Sequence, residues 1–67
     1  MAKAFIGAVE CRVTVDRDLG ESWAIAVIPA DGRRPRVVKL QGNDKAAVTV
    51  GALEILQKQG QIDRFEQ

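Results

Sequence analysis

The chain has 67 residues and a mass of 7.3 kDa, with 46% hydrophobic residues, 28% charged residues and a formal net charge of +1. This length predicts one small domain spanning 1–67. The nearly neutral net charge gives no indication of a nucleic-acid, membrane or acidic partner. The sequence contains no His and one Cys. Imidazole catalysis, His-containing zinc sites and intrachain disulfides are therefore excluded.

The composition also bears on location. Small secreted domains usually carry several disulfides, which one Cys cannot form. The apolar N-terminal stretch reaches Glu10 before a hydrophobic segment of normal length is complete, so we expect no signal peptide. No apolar run approaches the roughly 18 residues of a membrane-spanning helix. These features predict a cytoplasmic protein with no membrane contact.

Two strands are predicted in the first half of the chain. Apolar residues fill every second position of the first: Val9, Cys11, Val13 and Val15. This alternation predicts a strand over 8–16, which extends back to Ala4 if the chain bends at Gly7. The second strand, over 22–28, is apolar on both faces, a pattern typical of a strand covered twice.

A third strand is predicted over 36–40, after a turn that contains Asp31 and Gly32. Asn43 or Asp44 then caps a helix that runs to about Gln59. Apolar residues fill more than half of the girth of this helix, which is wider than packing on one sheet requires. Gly60 has the residue type expected just beyond a helix C-terminus.

The element order predicts an α+β fold, a three-stranded antiparallel meander followed by one C-terminal helix (β-β-β-α) packed on one sheet face. The polar tail 61–67 is predicted to fold back through Ile62 and Phe65. One helix covers one face only, so the two-sided strand and the wide helical arc predict a homodimer. The open sheet face, a strand edge or the helix flank would form its interface. The candidate interface residues are Trp23, Val48, Ala52 and Ile55.

Basic residues gather at the turn before the third strand. In a meander, Arg33, Arg34 and Arg36 would lie beside Lys58, near the C-terminal end of the helix. Guanidinium groups bind phosphate or carboxylate in a bidentate manner, so this turn is a candidate anion or nucleic-acid contact. The favoured alternative is a solvated turn that protects a strand edge, since no aromatic residue that could stack on a base adjoins the turn in sequence.

Acidic residues gather at the opposite end of the predicted meander. Asp16, Asp18 and Glu21 would lie near Asp44, and their oxygens suit a divalent cation, but they supply fewer ligands than an EF-hand loop. The favoured interpretation is an acidic turn without metal. Cys11 lies on the apolar side of its strand, so we interpret it as a core residue. We expect no catalytic residue and no cofactor.

Parts of the chain resemble known families in architecture. The segments 13–16, 23–27 and 52–56 resemble the first half of ribonuclease H, in which Asp16 would match the first catalytic Asp. The helix position expected to hold a second acidic ligand is Lys45. The helix start Lys45, Ala46, Ala47 resembles that of double-stranded RNA-binding domains, although the loop after the first strand is acidic here. Small antitoxin domains of the HicB type are similar in topology. We assign no family.

The sequence thus favours a small non-catalytic binding or regulatory module that forms a homodimer, with a weak anion or nucleic-acid contact at the turn 33–36. Two alternatives stay open. One is a degenerate ribonuclease-H-like half fold with a divalent metal near Asp16, which the resemblance implies. The other is an adaptor that binds a different protein.

Overall fold

The structure is a computed structural model and describes residues 2–17, 19–20 and 22–66. Within these residues the chain forms five strands and one helix: β1 Lys3–Ile6, β2 Val9–Arg17, β3 Ser22–Pro29, β4 Arg36–Gln41, α1 Lys45–Lys58 and β5 Arg64–Glu66. The strands form a single antiparallel sheet in the order β4-β3-β2-β1-β5, curled into a half-barrel. The α+β class is therefore correct, but the prediction of a three-stranded meander is wrong.

A tight turn divides the predicted first strand into β1 and β2. Ile6 pairs with Val9, so only Gly7 and Ala8 form the connection. Gly7 has a φ of 59° whereas Ala8 has a negative φ, as in a type II′ hairpin turn with glycine at its first central position. The dipeptide Gly-Ala is a weak hairpin signal compared with Asn-Gly, so the alternation gave the appearance of one bent strand.

The fifth strand comes from the C-terminal tail. Phe65 pairs with Ala4, and β5 runs antiparallel to β1 at the edge of the sheet. Ile62, just before this strand, is 2% exposed and packs in the core. A segment of three residues has too little alternation to predict a strand, and its pairing partner lies at the other end of the chain.

Local signals set both ends of α1. The Asp44 side chain accepts a hydrogen bond of 3.0 Å from the N–H of Ala46, which confirms one of the two predicted N-caps. At the C-terminus, Gly60 has a φ of 74° and donates to the carbonyl of Gln57, while Gln61 donates to the carbonyl of Leu56. These two bonds form a Schellman motif, as the position of Gly60 predicted.

The core lies between α1 and one face of the sheet. Its buried residues form two clusters: Ala4, Cys11, Val27, Leu53, Leu56 and Ile62 in one, and Trp23, Ile25, Val48 and Ala52 in the other. Nε1 of Trp23 donates a hydrogen bond of 2.9 Å to the carbonyl of Gly42, which fixes the segment entering α1 against β3. No helix in the described residues has the length and hydropathy needed to cross a bilayer.

Candidate interaction surface

The face of the sheet opposite α1 is uncovered within the part of the chain that the structure describes. Strand β3 shows this division most clearly, because its residues alternate between buried and half-buried. The residues facing α1 are Trp23, Ile25, Val27 and Pro29, and those on the other face are Ser22, Ala24, Ala26 and Ile28. We call this second side the uncovered face.

The sheet register arranges the uncovered face in rows that cross β4, β3 and β2. The first row is Lys39, Ala24, Asp16; the second is Val37, Ala26, Thr14; the third contains Ile28 and Arg12 and continues to Lys3 on β1. Val37 is 57% exposed, although it is apolar. The face therefore has an apolar centre of small and branched side chains, with charges of both signs at its sides.

One arginine of the basic turn is already paired. Nε of Arg33 lies 2.6 Å from Oδ2 of Asp31, and the backbone N–H of Arg33 donates to Oδ1 of the same carboxylate at 3.1 Å. This backbone hydrogen bond and the neighbouring guanidinium hold the pKa of Asp31 below its ordinary value. Much of the charge of Arg33 is therefore balanced within its own turn.

The other two arginines of the turn differ in exposure. Arg34 is exposed, whereas Arg36 lies opposite Val27 in the register and is half-buried on the side that carries α1. Nη1 of Arg36 donates to the carbonyl of Arg34 at 2.9 Å, and Nε is buried without a hydrogen-bond partner in the described residues. No hydrogen bond or ion pair within those residues connects the turn to Lys58.

The predicted acidic cluster is divided between the two sides of the sheet. Asp16 points to the uncovered face, whereas Asp44 and Lys45 lie at the start of α1 on the opposite side. Asp18 and Glu21 lie outside the described residues. Among the residues that are described, no three acidic or Cys side chains come together in a way that could hold a metal ion.

Three of the four predicted interface residues lie in the core of this chain. Trp23, Val48 and Ala52 are at most 9% exposed, and Ile55 is half-buried. The apolar residue left most open on the sheet is Val37 on β4. Only the pairing register shows that it stands beside Ala26.

A groove lies between the start of α1 and β2. It has a volume of about 570 Å³ and is lined mainly by Ala2, Val13, Val15, Ala46, Thr49 and Val50. The helix packs against β4 and β3, so the β2 side is left open. The lining is largely apolar, and nothing in the described residues fills it.

Cys11 lies in the core, as its position in the strand pattern predicted. The thiol is 1% exposed and lies 3.8 Å from the carbonyl oxygen of Val9, to which it donates. Burial raises the pKa of the Cys11 thiol, against the smaller opposing effect of nearby Arg36. A buried, protonated thiol is a poor nucleophile.

Comparison with protein-family models, with curated proteins and with solved structures finds no significant match to this chain. Its function is therefore inferred from its own residues.

Proposed function

We propose that this protein is a small non-catalytic binding module that forms a homodimer through its uncovered face. The supporting observation is the apolar centre of that face, in which exposed Val37 lies beside Ala26 and close to Ala24 and Ile28. An apolar patch surrounded by polar residues is typical of a protein interface. A second sheet packed about 10 Å away would remove this patch from water.

The non-catalytic part of the proposal is supported by the chemistry of the side chains. The chain has no His, and the one Cys is buried with a raised pKa. Asp16 lies across the sheet from α1, so it cannot share a site with a ligand on that helix, as the ribonuclease-H interpretation requires. A cytoplasmic location is part of the proposal, since a reducing compartment suits a free thiol.

A weak anion contact at the basic turn is an extension of this proposal. It depends on Arg34, which is exposed, and on the outer part of the guanidinium of Arg36. Arg33 contributes less because its guanidinium contacts Asp31. We expect low affinity without base specificity, since few phosphate contacts release few counterions.

Sedimentation across the micromolar range tests the homodimer. We expect a mass of twice 7.3 kDa for the unmodified chain. Ala26→Arg places a charged side chain at the centre of the uncovered face and should give monomers. Ala47→Arg makes the same change at an exposed position of α1 and serves as the matched control.

Two results would contradict the proposal. A monomer at all concentrations would exclude the homodimer and leave the uncovered face to a different protein, which is the adaptor alternative. A dimer that withstands Ala26→Arg would show that the copies associate elsewhere. Circular dichroism of both variants establishes that they are folded before their masses are compared.

A further inference from the structure

One row of the uncovered face carries opposite charges on the two sides of β3. Lys39 on β4 and Asp16 on β2 lie in one row, on opposite sides of Ala24 on β3. Both charged side chains are exposed, and neither has an ion-pair partner among the described residues. Neighbouring strands are about 4.8 Å apart, so the opposite charges stand at equal distances from β3.

We infer that two copies pack their uncovered faces around a two-fold axis parallel to β3, so that each Lys39 lies against the partner's Asp16. This arrangement rests on the proposed homodimer. Rotation about such an axis exchanges the two sides of β3 and keeps each residue at the same height along the strand. Strand β4 of each copy then lies over β2 of the other, and the two ion pairs form reciprocally.

The residues of β3 and the second row fit the same symmetry. Residues on β3 lie near the axis, so Ala24, Ala26 and Ile28 each face their own counterpart. The alanines have small side chains, which permit the close approach of two sheets. In the second row, Val37 lies over the partner's Thr14, which covers the most exposed apolar residue of the sheet.

A perpendicular two-fold axis is the main competing arrangement. If the axis crosses the strands at the row of Ala26, Asp16 faces the partner's Arg12, while Lys39 lies over the end of β4 and gains no partner. Each axis thus forms two reciprocal ion pairs, and the two arrangements differ in the cation that faces Asp16. The response to Lys39→Glu therefore distinguishes the parallel axis from the perpendicular one.

The size of the contact determines how strongly the two copies are expected to associate. The axis over β3 brings only β4, β3 and β2 of each copy into contact, so the shared face is about 14 Å wide and small for a stable interface. We therefore expect weak association, with dissociation in the high micromolar range. Charge pairs at such an interface determine orientation and specificity more than affinity.

Charge reversal tests the arrangement. Lys39→Glu and Asp16→Lys should each weaken dimerisation at least about tenfold, because each variant places like charges together twice per dimer. The double variant should restore dimerisation to within about threefold of the unmodified chain, since the reciprocal pairs form again with exchanged signs. Lys45→Glu and Glu54→Lys reverse exposed charges on α1 and are the matched controls.

Sedimentation equilibrium of these variants separates the outcomes. Weaker dimerisation of both single variants, together with restored dimerisation of the double variant, would support the parallel axis. A dimer that tolerates both single changes, or that responds to Asp16→Lys alone, would overturn it while leaving the homodimer intact. A monomeric unmodified chain would overturn the proposed homodimer itself. Thermal unfolding of each variant distinguishes loss of association from loss of folding.

Discussion

The carboxylate of Asp63 accepts a hydrogen bond from the backbone N–H of Gly7, 56 residues earlier in the chain. The same residue donates its backbone N–H to the carbonyl of Phe5 at 2.8 Å and accepts a bond of 3.0 Å from the side chain of Gln57. Asp63 thus connects the first hairpin, the C-terminal turn of α1 and the start of β5. Three of its polar groups hold elements that are distant in sequence.

Removing this carboxylate should destabilise the fold. We expect Asp63→Ala to lower the free energy of unfolding by about 1–2 kcal/mol, because a charge-assisted hydrogen bond to Gly7 is lost at an exposed site. Urea unfolding measures the change, and Glu54→Ala, at an exposed position of α1, is the control. Equal stability of the two variants would show that water replaces the Asp63 contact without cost.

Replacement of Gly51 and of Gly42 by alanine should change the stability of the fold in opposite directions. A Cβ at Gly51 would lie 3.6 Å from Cδ1 of Leu40, an ordinary contact, and alanine favours a helix, so we expect Gly51→Ala to stabilise the fold by about 0.5–1 kcal/mol. A Cβ at Gly42 would lie 2.8 Å from Cγ2 of Val48, whose branched side chain has little rotamer freedom in α1. Gly42→Ala should therefore cost about 1–3 kcal/mol.

Thermal and urea unfolding of these two variants provide the measurement. Each acts as the control for the other, since both add one methyl group. Destabilisation by Gly51→Ala would indicate that α1 approaches β4 more closely than the structure shows. Tolerance of Gly42→Ala would mean that the segment before α1 can shift without breaking the hydrogen bond from Trp23.

The buried thiol should make stability depend on alkaline pH. Burial raises the pKa of the Cys11 thiol in the folded chain, so folding favours the protonated thiol. This contribution to the free energy of unfolding is fully present below the ordinary thiol pKa of about 8.5. It is lost as the pH rises through the raised pKa of the folded chain. In this range the ionisation of Cys11 should make the free energy of unfolding fall by at most about 1.4 kcal/mol per pH unit. The chain has no Tyr or His to mask the effect.

Cys11→Ala isolates the contribution of the thiol. Its unfolding free energy, measured between neutral pH and pH 10, should fall less steeply than that of the unmodified chain, whatever its absolute stability. Parallel curves for the two proteins would contradict the raised pKa. Slow reaction of the folded unmodified chain with a thiol reagent should accompany the result, because the sulfur is 1% exposed.

Charge changes at the basic turn should alter polyanion binding in opposite directions. Arg34→Gln removes an exposed cation and should lower the slope of log K against log salt by about one unit. Asp31→Asn should strengthen binding, because it removes a negative charge and releases the guanidinium of Arg33. Arg64→Gln, at the opposite edge of the sheet, is the matched control.

The measurement titrates a labelled duplex and a labelled single strand at two salt concentrations. We expect weak binding to both the duplex and the single strand. Arg34→Gln should weaken this binding and Asp31→Asn should strengthen it. No binding by the unmodified chain at low salt would eliminate the anion extension. The dimer proposal would then stand on the uncovered face alone.

The sequence by itself determined the elements that depend on near neighbours. The N-cap, at Asn43 or Asp44, and the Schellman glycine Gly60 act within one turn of helix, so both were recognisable without the fold. The continuous apolar run of β3 likewise predicted a strand with two apolar faces. These features require only contacts between residues a few positions apart.

The tertiary structure decided what depends on distant pairing. The turn at Gly7 and the docking of Phe65 beside Ala4 changed three predicted strands into five, because a short strand is stabilised by a partner that the local pattern does not reveal. Pairing register also set Lys39 and Asp16 in one row. In an antiparallel sheet, alternation fixes the face of a side chain, but only the register fixes its neighbours across the strands.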